Sequence, residues 1–79
     1  MSSEYLRSAR TYGVVTKSNT TPLDFTSLYI GGTGHVNISN DGGLTTTLFS
    51  DLPVGAILNV TGNRVMSTST TATLIVWMR

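Results

Sequence analysis

A run of small residues, Gly31-Gly32-Thr33-Gly34, leads into the single histidine of the chain, His35. A glycine-rich loop cradles phosphate when it carries Gly-Lys-Ser/Thr and opens a helix whose N-terminus holds the anion. Here His35-Val36-Asn37-Ile38-Ser39 follows, alternating polar and apolar as a half-buried strand does, so the glycines read as a turn that stops the preceding strand. One histidine among 14 Thr and 9 Ser gives no support for a catalytic triad. Asp24, Asp41 and Asp51 all sit in or beside turn signals, where aspartate commonly bonds the nearby backbone. With no cysteine, one histidine, four carboxylates and no D-x-D-x-D-G loop, no metal site is expected, and no cofactor. Asn19, Asn37 and Asn59 each open a glycosylation sequon, but MSSEYLRSAR has no hydrophobic signal segment and five asparagines amid so many hydroxyls make chance matches.

Binding is the remaining class. A nucleic-acid groove needs cations interleaved with aromatics. Tyr5, Arg7, Arg10, Tyr12 and Lys17 form a faint version of one, but beyond Pro22 only Arg64 and Arg79 are cationic and the net charge is +1. No nucleic-acid partner is expected. No apolar run approaches 18 residues, so no membrane span is expected either. Tyrosine and arginine are also the side chains most enriched at protein interfaces, so the same residues suit an anchoring arm.

At 79 residues the chain makes one small domain with a marginal core, and without disulfides or metal the remaining support is association. Charged residues are 11%, under half the usual share, and threonine and serine fill the gap. Few charges, much threonine and eight glycines point to β-structure whose surfaces are cheap to desolvate against a neighbour.

The elements follow from this. Residues 1–22 hold four of the nine charges and read as an N-terminal arm and connector; residues 23–79 read as the β domain. Tyr12 to Thr16, Phe25 to Ile30, His35 to Ser39, Leu44 to Ser50, Ala56 to Met66 and Ala72 to Arg79 read as strands. Asn40-Asp41-Gly42-Gly43 is a hairpin signal, and Asp51-Leu52-Pro53-Val54-Gly55 a turn. Gly62 marks a bulge or bend within its strand. In the final strand Leu74, Val76 and Met78 point one way and Ile75 and Trp77 the other, so both faces are apolar and both need cover. A second chain is expected to supply one cover, with Ile75, Trp77 and Met78 at the subunit interface.

Leu28-Tyr29-Ile30-Gly31-Gly32-Thr33-Gly34-His35-Val36 resembles the LYxGGxGxV opening of small tailed-phage virion proteins of the spike-base type. Phe49 to Leu58 is similar to their F-x-x-[VL]-P-x-G-x-[IL]-L segment, and Arg64 to Val76 to their RV…TTAT-x-IV segment. The likeness runs from Thr21 almost to the end; the Trp77-Met78-Arg79 ending and the arginine-bearing arm depart from it. It implies a small β-sandwich or β-barrel that acts without catalysis in a virion.

The resulting expectation is an all-β domain, a small antiparallel β-sandwich or β-barrel with an extended N-terminal arm. It would form a homo-oligomer, expected to be a trimer, and decorate or cement a capsid surface. The major capsid protein would be its partner, bound through Tyr5, Leu6, Arg7, Arg10 and Tyr12. A spike-base or head-fibre adaptor is the structural alternative; a carbohydrate-binding β module is a more distant one.

Overall fold

The computed structural model describes residues 11–79. Seven strands follow in order: β1 (Tyr12–Val14), β2 (Ser27–Gly32), β3 (Gly34–Ser39), β4 (Thr47–Leu52), β5 (Ile57–Leu58), β6 (Arg64–Val65) and β7 (Thr73–Met78). All pairings are antiparallel, in a four-stranded sheet ordered β1-β7-β2-β5 and a three-stranded sheet ordered β4-β3-β6. The two sheets form a small β-sandwich.

Side-chain alternation fixes what each strand contributes. On β2, Leu28 and Ile30 are fully buried; their partners on β7 are Trp77 and Ile75, and on β5 Leu28 faces Leu58. These residues meet Val36 and Ile38 of β3 and Val65 of β6, with Phe25 and Ala72 completing the core. Gly13 of β1 sits opposite Trp77, where a Cβ would come within 3.0 Å of the indole, so the missing side chain makes room for the ring.

The glycine run corrects the sequence reading. Gly31 and Gly32 belong to β2, Gly34 opens β3, and only Thr33 lies between them. The chain therefore turns a corner here and passes from one sheet to the other. Glycine is required because β7 runs hard against this corner. A Cβ at Gly31 would lie 2.6 Å from the Leu74 carbonyl oxygen, and one at Gly34 2.5 Å from the Ala72 nitrogen. Gly62 plays the matching part between β5 and β6: it bridges Phe25, and a Cβ there would lie 2.5 Å from the Phe25 ring. The continuous strand expected from Ala56 to Met66 is thus two short strands in different sheets.

The expected half-burial of β3 is also corrected. Asn37 and Ser39, the polar members of the alternation, are as buried as the apolar ones. The loop from Ser67 to Thr71 covers Asn37, whose Nδ2 donates to the Thr68 carbonyl and whose backbone N–H donates to the Thr70 hydroxyl. Ser39 is covered by the β3–β4 turn, where its hydroxyl accepts from Gly43 N–H and donates to the Asp41 carboxylate. Residues 17–20 are tied to the same loop. Asn19 accepts from Ser67 and Thr68 N–H, and Lys17 donates to the Thr70 carbonyl.

Two outcomes test this packing. Gly62→Ala forces a methyl into the Phe25 ring and should cost about 1–3 kcal/mol, read as a lower urea midpoint at unchanged slope. At the β3–β4 turn, the Thr45 hydroxyl and N–H and the Ser39 hydroxyl bond the Asp41 carboxylate and hold its pKa at about 2 instead of 3.8. The folded pKa lies below the unfolded one, so this stabilisation is complete above the unfolded value and fades as pH falls toward 2. Across that window the melting temperature of the wild type should fall more than that of Asp41→Asn; parallel curves would remove the carboxylate from the account.

Candidate functional site

The outer surfaces of the two sheets differ in kind. That of the three-stranded sheet is overlaid at β3 by the loop and turn described above, with polar groups bonded to one another. On the four-stranded sheet the outward positions, Ser27 and Gly31 apart, carry apolar and aromatic side chains. Val14, Val76, Tyr29 and Ile57 lie in one cross-strand row, set by the pairings Val14–Val76, Val76–Tyr29 and Tyr29–Ile57. Tyr12 and Met78, also paired, stand in the next row. Tyr12, Val14, Ile57 and Leu74 are between 57% and 76% exposed, which puts most of each side chain in water.

Leu74 adds a second peculiarity. Its φ is +53°, in the left-handed region that costs a leucine roughly 1–2 kcal/mol. It lies opposite Gly31 at the sheet corner, on the outward side of β7 that alternation with the buried Ile75 gives it. Leu74 is the second residue of β7 and 74% exposed, so burial of its side chain does not offset the strain.

The residues singled out by sequence divide three ways. Tyr5, Leu6, Arg7 and Arg10 lie outside the described residues. Tyr12 stands on the edge strand β1, exposed on the apolar face. Of the three assigned to a subunit interface, Ile75 is only 2% exposed within its own chain's core, so it has no surface to offer. Trp77 is half-buried and packs on that core too, with the Arg79 guanidinium 4.8 Å above its ring. Met78 alone of the three faces outward. The outward members that sequence reasoning did not assign, Val14, Tyr29 and Ile57, follow from the register. The alternation on β1 and β2 held the signal, but only the pairing shows that they align.

The chemistry-bearing side chains make no reactive cluster among the described residues. The His35 Nδ1 accepts from the Asp51 backbone N–H at 3.0 Å and lies 3.9 Å from the Asp51 carboxylate. That bond supports Asp51 at φ +56°, where β4 slips register opposite His35. Its role is to hold a bulge. No three metal-ligating side chains converge among the described residues.

No protein-family model matches the chain, and no curated protein does. Among solved structures, it is similar to a chain described as the capsid of a native GTA particle computed with C5 symmetry. The two share 28% sequence identity at a TM-score of 0.79, over 91% of this chain and 84% of that one.

The strained leucine yields a measurable outcome. Leu74→Gly relieves the left-handed strain and loses little packing, because the side chain is 74% exposed. Stability in urea should be equal or raised by up to about 1 kcal/mol. A clear loss would make Leu74 a packing residue.

Proposed function

We propose that this chain is a non-enzymatic structural protein of a virion of the tailed-phage kind, seated on the capsid surface as a decoration or cement subunit. The observation that carries the proposal is the likeness to a capsid chain, which extends over 91% of the residues at 28% identity. The three motifs of the virion-protein resemblance support it from a second side. They fall on the β2–β3 corner, on β4 through β5, and on β6 through β7, the segments that build this sandwich. A fold matched along its length by a capsid component, and bearing an apolar sheet face that the described residues leave uncovered, suits a subunit that works by contact.

The proposed partner is the major capsid protein, bound by the segment holding Tyr5, Leu6, Arg7 and Arg10, with Tyr12 where that segment meets the sheet. Copies would act as a homo-oligomer, each contact modest and the set tight through multivalency. A spike-base or head-fibre adaptor is the second reading. The likeness of Leu28 to Val36 to the opening segment of spike-base proteins favours it.

Quantitative mass spectrometry of purified particles against the major shell protein separates the readings. Near-stoichiometric copies support decoration, a handful per particle supports the vertex adaptor, and none overturns both. The arm is tested by deletion of residues 1–10. The cut stops there because Thr11 exchanges backbone hydrogen bonds with Arg79 and Tyr12 pairs with Met78. The shortened chain should fold and lose particle binding; full binding would sink the arm's role.

A further inference from the structure

We infer that the outer face of the four-stranded sheet is a self-association surface, covered by the same face of a second copy of this chain. The row Val14, Val76, Tyr29 and Ile57 spans all four strands, with Tyr12 beside it and Leu74 at its corner. None of the six carries a charge, and they form a continuous strip rather than scattered exposed side chains. With two tyrosines and four aliphatic residues, the strip exposes on the order of 600 Å². That is the upper range for an ordinary monomer and close to the roughly 800 Å² per partner that a stable interface buries.

The copy is favoured over an unlike partner by what the face lacks. A surface that selects a different protein carries charged or hydrogen-bonding groups that fix register and reject wrong partners. This strip offers apolar side chains and two phenol hydroxyls, a chemistry that is its own complement. Symmetry then places identical rows against each other, so Tyr29 and Val76 near the middle of one face meet the middle of the next. Sheets pack face to face in this manner about 10 Å apart. The left-handed Leu74 fits the same picture, because it sets an apolar side chain at the rim of a surface that gains from it only when covered.

The inference concerns the purified chain and is measured without particles, so it stands or falls separately from capsid binding. The full chain is followed by sedimentation equilibrium over a concentration series, beside Val14→Lys and Ile57→Lys. Both side chains are more than half exposed, so the lysines leave the core intact, and far-UV circular dichroism with a melting curve verifies folding. Leu48→Lys is the control, an exposed leucine on the other sheet. The expected result is a multiple of the 8.4 kDa chain for the wild type and Leu48→Lys, with both patch variants dissociating at least tenfold more readily. A wild type that stays monomeric overturns the inference. So does an oligomer that both folded patch variants leave intact, or one that Leu48→Lys disrupts equally.

Discussion

The pairing of β7 with β2 is the contact on which the molecule depends. It runs from Ser27–Met78 to Gly32–Thr73 and forms the middle of the larger sheet. One side of the pair supplies Leu28, Ile30, Ile75 and Trp77 to the core; the other supplies Tyr29 and Val76 to the surface. Because the strand period is two, a shift of one residue would exchange these sets and expose the core. The register is held at its far end by glycine. Gly31 and Gly32 let the β7 backbone come closer than any side chain permits, so the corner acts as a stop against slippage.

This constraint ties fold and surface together. Once Ile75 and Trp77 are committed inward, Val76 and Met78 must face outward, and β1 and β5 align Val14 and Ile57 with them. The apolar strip follows from a strand that fills the core with one side and is apolar on the other as well. The smaller sheet solves its own problem internally, by laying a threonine-rich loop over Asn37 and a turn over Ser39. The larger sheet has no such cover among the described residues, and its outer face stays apolar and exposed.

The sequence displayed the strands other than the β5–β6 break, the hairpin at Asn40 to Gly43 and the two-sided character of β7, because each is a local pattern of residue types. It misled where a residue's role depended on a distant neighbour. Gly31 and Gly32 look like a turn, since nothing nearby reveals that β7 will press against them. Asn37 and Ser39 look like solvent positions, since their covers lie in the Ser67 to Thr71 loop and in turn geometry. Ile75 reads as interface because both faces of the strand are apolar, and only the opposing sheet decides which face the chain fills itself. The surface row was least legible: Val14, Tyr29, Ile57 and Val76 sit on four strands, and alignment across strands is a property of register.

The order of strands in the larger sheet has a kinetic meaning. β7 slots between β1 and β2, elements more than 40 residues earlier in the chain. Sheets built from such distant pairings close large loops before contacts compensate for the lost entropy, and they fold in milliseconds to seconds rather than microseconds. Until β7 arrives, β2 has an open edge and Leu28 and Ile30 lack their partners. Such an unpaired edge is a template for wrong pairing until β7 covers it. The glycine corner limits that hazard: its backbone accepts only a strand able to bend as β7 bends at Leu74, so a foreign strand meets a poor fit where the native one locks.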